Sequence, residues 1–141
     1  MGNIFDILGP VMVGPSSSHT AGAARIGLIS RQLFGRQPEK ARVYLHGSFA
    51  ATGKGHGTDK ALIGGLLGMK PDDMRIPYSF DVAKEEGMDF TIESKDIKEA
   101  HPNTAQVFME AEGVPPMWVQ AYSIGGGRIR VCKLDGIDVN F

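Results

Sequence analysis

Two short stretches of the sequence concentrate residue types that bind anions and that titrate near neutral pH. The first stretch consists of Ser16, Ser17, Ser18, His19 and Thr20 and precedes an alanine- and glycine-rich segment. Serine is favoured at helix N-caps, and the first backbone amides of a helix have no intrahelical partner. The stretch therefore predicts a helix N-terminus that binds a small carboxylate or phosphate, with His19 as a group that is neutral or cationic. The alternative is a capped helix without a ligand, for which one serine would suffice.

The second stretch, TGKGHGTD at residues 52–59, alternates glycines with cationic side chains. Lys54, Gly55 and His56 form its centre and are candidates for anion binding. Thr58 and Asp59 are helix-capping residues, so they predict a second helix N-terminus whose donors point the same way as those of the first. The spacing lacks GxxxxGK[ST] and the full GxGxxG pattern, which excludes a nucleotide-phosphate loop. The alternative is a turn with solvated side chains at its tip.

A third stretch, SIGGG at residues 123–127, contains three adjacent glycines between strand-like segments. It predicts a hairpin or bulge, with close contact to a partner chain as an equal alternative. Cys132, the single cysteine, is expected to be a strand residue rather than a nucleophile, because no activating histidine or helix N-terminus is evident beside it. One cysteine cannot form an internal disulfide, and by itself it holds neither zinc nor an iron-sulfur cluster.

Apolar periodicity indicates which elements position these stretches. In chain order it predicts a helix at 19–34 ending at Gly35, a strand at 41–49, a glycine loop at 50–59, a helix at 60–68, a short helix at 81–86 and a strand at 89–93. The segments after Asn103 are TAQVFMEAEG, PPMWVQAYSI, GGGRIRVCKL and GIDVNF, and they predict an antiparallel meander. The expected class is α+β, with two early helices packed on a largely antiparallel sheet in one domain spanning residues 1–141.

Composition excludes several classes of partner. The chain has 141 residues with 15 basic and 16 acidic side chains, so no global field would attract nucleic acid or an anionic membrane. No run approaches the ~20 apolar residues of a membrane span, and the first residues lack the basic head and long apolar core of a signal peptide. The expectation is a soluble, cytoplasmic protein in a reducing compartment.

GPSSSHTAGAARIG, LHGSFAATGKGHGTDKALIGG and SIGGG, in this order and spacing, resemble the beta chain of the iron-sulfur-dependent L-serine dehydratases. The resemblance spans nearly the whole chain. It implies a lyase that converts L-serine to pyruvate and ammonia and is active only with an alpha chain, whose cysteines hold a 4Fe-4S cluster. It also implies that His19 and His56 bind the substrate carboxylate or move protons, and that this chain holds no metal ligand. The neighbouring residues that would bind the substrate are Ser16, Ser17, Ser18, Thr20, Lys54 and Gly55.

Beta chains of this family often continue into a regulatory domain of the ACT type, which is expected to be absent or trimmed here. The fold also resembles the allosteric substrate-binding domain of some phosphoglycerate dehydrogenases. That likeness implies the rival hypothesis, a non-catalytic module that binds a small anion or effector and regulates or scaffolds its partner chain. A homodimer formed through exposed late strands is a third hypothesis.

Overall fold

The computed structural model describes residues 17–53 and 57–141 and confirms the α+β class. Within these ranges the helices are α1 (Ser17–Phe34), α2 (Ser48–Gly53), α3 (Thr58–Leu66) and α4 (Ser79–Glu86), with a 3-10 turn at Ile76–Tyr78. The strands are β1 (Lys40–Leu45), β2 (Asp89–Ser94), β3 (Thr104–Ala111), β4 (Val114–Gly125), β5 (Arg128–Leu134) and β6 (Ile137–Asp138).

The six strands form one sheet in the order β2-β1-β3-β4-β5-β6. β1 and β2 are parallel, because the chain between them crosses over through α2, α3 and α4. Every other neighbouring pair is antiparallel. The predicted meander is therefore confirmed from β3 onward, and the sheet as a whole is largely antiparallel.

Successive side chains along each strand point to opposite faces of the sheet, of which one is covered by helices and the other is open. Val43, Val107 and Val119 pair across β1, β3 and β4, and each is at most 1% exposed because the helices cover this face. The next row, Arg42, Phe108 and Trp118, points the other way. There the Phe108 ring stacks on Trp118 with centroids 5.1 Å apart. The core therefore lies between the helices and one face of the sheet.

The chain between β1 and α3 differs from the prediction. The strand ends at Leu45 instead of residue 49, and residues 48–53 form a helix where the end of that strand and the start of the loop at 50–59 were predicted. Gly47 accounts for both differences, since its φ of 61° is left-handed and a Cβ at this position would overlap the carbonyl oxygen of Pro102. The Ser48 amide donates to that same oxygen at 2.7 Å. These contacts turn the chain out of the sheet.

The three predicted helices and the predicted strand at 89–93 are confirmed, and each of their ends lies within two residues of its predicted position. The stop of α1 is Gly35, whose φ is 94° and whose amide donates to the Arg31 carbonyl at 3.0 Å. Gly68 follows α3 with a φ of 93°. Both are the left-handed C-terminal glycines expected from the sequence.

Helices α1 and α3 lie side by side and run in the same direction. The Cβ position of Gly57, just before α3, lies 3.9 Å from the Thr20 methyl near the start of α1. At the other end, the Cβ position of Gly68 lies 3.2 Å from the Arg31 guanidinium near the end of α1. The N-termini of the two helices are therefore at the same end of the domain.

Two glycines make this close approach possible. A Cβ at Gly65 of α3 would overlap the carbonyl oxygen of Ala24, and a Cβ at Gly27 of α1 would overlap the carbonyl oxygen of Leu62. In each case the obstructing atom is backbone, which cannot move aside like the tip of a flexible side chain. The helix crossing therefore requires glycine at both positions.

Candidate functional site

The first two sequence stretches meet where α1 and α3 begin. α1 begins at Ser17 and α3 at Thr58, and the Cβ position of Gly57 in the second stretch lies 3.9 Å from the Thr20 methyl in the first. Because both helices run away from this end, two sets of first-turn amides and the positive ends of two helix dipoles face the same region. The arrangement favours a bound carboxylate more than a single helix N-terminus would.

The predicted site residues are described only in part. For Ser17, Ser18 and His19 the structure describes the helical backbone and not the side chain, and Thr20 is half-buried. Ser16, Lys54, Gly55 and His56 lie outside the described residues. In the sequence, His19 directly precedes Thr20 and His56 directly precedes Gly57. The two histidines are therefore chain neighbours of the residues at which the stretches approach each other.

The start of α3 has no side-chain cap. Gly57 occupies the N-cap position with a φ of 93°, and Thr58 and Asp59, predicted to cap the helix, form its first turn instead. The Asp59 Oδ1 atom accepts a hydrogen bond from the Lys60 amide at 2.7 Å. No bond from the Thr58 or Asp59 amide to another described residue is found. A glycine N-cap leaves these two amides for an acceptor outside the helix.

Asp59 is a buried carboxylate at this site, and its burial is not predicted by the local sequence. Its residue is only 8% exposed, and it lies in the first turn of α3, where the helix dipole favours a negative charge. The site therefore offers amide donors for an anion next to a carboxylate that suits a cation. An acidic residue in a first turn was visible in the sequence, but its burial depends on the packing of α3.

The third stretch forms the predicted hairpin between β4 and β5. Gly125 pairs with Arg128, which leaves Gly126 and Gly127 as the two turn residues. Their φ values of 63° and 78° are both positive, as a type I′ turn requires.

This hairpin also packs on the first two turns of α1. A Cβ at Gly22 would overlap the Ser123 Oγ, and the Cβ position of Gly127 lies 3.5 Å from both the Ala21 Cβ and the Arg25 Nε. Ser123 is only 2% exposed. All three sequence stretches thus converge on the N-terminal part of α1, and we call this region the convergent end. Its three approaches are Thr20 to Gly57, Gly22 to Ser123 and Ala21 to Gly127.

The two histidines whose side chains are described have structural partners away from this pair of helices. The His46 Nδ1 accepts a hydrogen bond from the Ile97 amide at 3.0 Å. The His101 Nδ1 accepts one from the Asn103 amide at 3.0 Å, and its ring stacks on Tyr122. These contacts hold the two rings in defined positions.

Cys132 lies in β5, as predicted, with its Sγ 3.5 Å from the Gln120 carbonyl oxygen. Burial raises the pKa of the Cys132 thiol, which disfavours the thiolate that acts as nucleophile or metal ligand. Over residues 17–53 and 57–141, no group of three or more His, Cys, Asp or Glu side chains could hold a metal ion. An iron-sulfur cluster needs several thiolates, so the one cysteine of this chain does not fit it.

The helices in the described part of the chain are all too short or too polar to cross a membrane.

Comparisons with known proteins all point to one group of enzymes. The family model for the serine dehydratase beta chain matches residues 3–87, which include the first two stretches. A Bacillus subtilis protein named probable L-serine dehydratase, beta chain, is 49% identical over 97% of this chain and 62% of that protein. The L-serine dehydratase, beta chain, of Peptoniphilus asaccharolyticus is 41% identical over 97% of this chain and 62% of that protein. L-serine dehydratase 2 of Escherichia coli is 43% identical over 52% of this chain and 17% of that protein. The chain thus spans less than two thirds of the length of these relatives.

Proposed function

This chain belongs to the serine dehydratase beta chain family, and from that premise we propose that it is the beta subunit of an L-serine dehydratase. This lyase would convert L-serine to pyruvate and ammonia only when the chain is assembled with an alpha chain. The proposal assigns a 4Fe-4S cluster to the alpha chain, because the single cysteine of this chain does not fit one. The contribution of this chain is then to hold the substrate and to move protons.

The observation that carries the proposal is the presence of a buried carboxylate beside two helix N-termini. Serine is a zwitterion, with a carboxylate that suits the first-turn amides of α1 and α3 and an ammonium that suits Asp59. A site for a simple anion would gain nothing from Asp59, which is only 8% exposed and would repel the anion. The arrangement therefore favours an amino acid over a small anion.

The chemistry of the reaction requires a base and a group that holds the carboxylate. The α-proton and the hydroxyl group of serine leave as water, and the resulting aminoacrylate hydrolyses to pyruvate and ammonia. Imidazole has an ordinary pKa close to neutral, which suits transfer of the α-proton. We assign this proton transfer and the binding of the carboxylate to His56 and His19, whose chain neighbours Gly57 and Thr20 approach each other.

Asp59→Asn is expected to raise the KM for L-serine about tenfold or more in the assembled enzyme. A hydrogen bond to a charged group contributes about 1.5–3 kcal/mol, and 1.4 kcal/mol corresponds to a tenfold change in affinity. As a matched probe, 3-hydroxypropionate is serine without the ammonium group, so its inhibition constant should not rise. Initial rates of pyruvate formation give both constants.

Asp81→Asn is the control for this prediction, because Asp81 also lies in the first turn of a helix but is exposed on α4. It should leave both constants unchanged. An unchanged KM in Asp59→Asn, or an equal loss of affinity for 3-hydroxypropionate, would remove the assignment of Asp59 to the ammonium group.

Ser17→Ala and His19→Ala are expected to weaken binding of 3-hydroxypropionate by about threefold to tenfold each, because each change removes one donor from a carboxylate site. Calorimetric titration of the assembled enzyme measures the dissociation constants directly. Ser94→Ala, at the exposed end of β2, serves as the control. If neither variant changes the dissociation constant, the carboxylate does not bind at the start of α1.

A further inference from the structure

Three arginines surround the turn between β4 and β5 and have no carboxylate partner within residues 17–53 and 57–141. Arg25, Arg128 and Arg130 are exposed and help to line a depression of about 450 Å³ at the hairpin. Among the residues that the structure describes, none of the three guanidinium groups makes a hydrogen bond or ion pair. Arg36 and Arg75, by contrast, lie 3.2 and 2.8 Å from the carboxylates of Glu39 and Asp73. We call Arg25, Arg128 and Arg130 the arginine surface.

The triple-glycine turn brings the arginines of two elements together. The Nε of Arg25, on α1, lies 3.5 Å from the Cβ position of Gly127, which is van der Waals contact distance. Arg128 and Arg130 alternate with the half-buried Ile129, which faces α1, and therefore leave β5 on the opposite face of the sheet. All three arginines nevertheless line the one depression at the edge of the hairpin. The hairpin thus collects positive charge from α1 and from β5 at one edge of the domain.

This concentration of charge does not follow from composition, since the chain as a whole has a formal net charge of −1. Exposed like charges repel one another, and an oppositely charged surface is what relieves that repulsion. Ile124, which lines the same depression, is 40% exposed. Arginine is enriched at protein interfaces, and a large apolar side chain beside it suits such a surface.

We propose that the arginine surface docks a carboxylate-bearing surface of the alpha chain. This inference rests on the proposed function. Arg25 lies one turn beyond Ala21 and Gly22, where the third stretch packs on α1 at the convergent end. An alpha chain that completes the substrate site at this end would therefore also reach the arginine surface. The arginines contact the partner protein and not the substrate.

The affinity of the full chain for its alpha chain tests the proposal. We expect Arg25→Gln, Arg128→Gln and Arg130→Gln each to weaken association about threefold at 50 mM salt, and the triple variant to weaken it about thirtyfold. Raising the salt to 300 mM should reduce the difference in affinity between the wild type and the triple variant. At such ionic strengths the interactions of exposed charges are screened beyond about 10 Å or less. Arg36→Gln and Arg75→Gln are matched controls that should bind like wild type.

Kinetics separate docking from substrate binding. With the alpha chain in saturating excess, the triple variant should keep the wild-type kcat and the wild-type KM for L-serine. Unchanged association in all variants would overturn the proposal, and so would a raised KM with unchanged association, which would assign the arginines to a small anion. If the triple variant does not fold by circular dichroism, the three single variants decide the question. Failure of the wild-type chain to bind any alpha chain would instead overturn the proposed function.

Discussion

Replacing His56 with alanine is expected to lower kcat of the assembled enzyme by about 10²–10⁴-fold, the range that a positioned general base contributes. Assembly with the alpha chain should be unaffected, because a single side chain is removed from a glycine-rich stretch. The measurements are the rate of pyruvate formation from L-serine and the mass of the complex in size-exclusion chromatography. His101→Ala is the control, since that ring stacks on Tyr122 and has a structural role.

His19→Ala in the same assay separates the roles of the two histidines. Loss of a base lowers kcat, whereas loss of a carboxylate-binding group that acts equally on substrate and transition state raises KM. Wild-type turnover in the intact His56→Ala complex would contradict the catalytic role of that residue. The non-catalytic binding module would then become the better account of the convergent end.

Gly65→Ala is expected to lower the free energy of unfolding by about 3 kcal/mol, at the upper end of the usual cost of overpacking. The added methyl would overlap the Ala24 carbonyl oxygen, so α1 and α3 would have to separate. Urea unfolding followed by circular dichroism measures the change. The same separation would displace the two helix N-termini, so we also expect a raised KM for L-serine in the assembled enzyme.

Gly64→Ala is a closely matched control for this prediction. It lies next to Gly65 in α3, but its Cβ position meets side-chain atoms, the Ile76 Cγ1 and the Met69 Sδ at 3.2 Å, and overlaps no backbone atom. Alanine also favours helix over glycine by up to about 1 kcal/mol, which offsets the crowding. Equal stability of the two variants would show that the contact between α1 and α3 does not need glycine at position 65.

Local sequence patterns predicted the elements but not the way they come together. The apolar periodicity that predicts α1 and α3 is a property of each segment alone. Their parallel contact depends on Gly27 and Gly65, which are distant in the sequence and meet only in the folded chain. For the same reason the end of β1 was misplaced, because the obstacle at Gly47 is the carbonyl oxygen of Pro102.

In the candidate site, too, the local features could be predicted from the sequence and the tertiary ones could not. Its residue types and its two helix N-termini could be predicted, since serine, glycine and histidine at those spacings have local consequences. The burial of Asp59 could not be predicted, because it arises from the packing of α3. The absence of carboxylate partners for Arg25, Arg128 and Arg130 within the described chain was equally invisible, because the distances between charges are set by tertiary structure.

The central claim is that this chain is one half of an enzyme completed by an alpha chain. Anaerobic purification of the tagged chain from its own host tests the claim most directly, with iron, sulfide and pyruvate formation from L-serine measured on the product. We expect a complex with an alpha chain that contains iron and sulfide and forms pyruvate. A chain that purifies alone, or with a partner that lacks iron and activity, would contradict it.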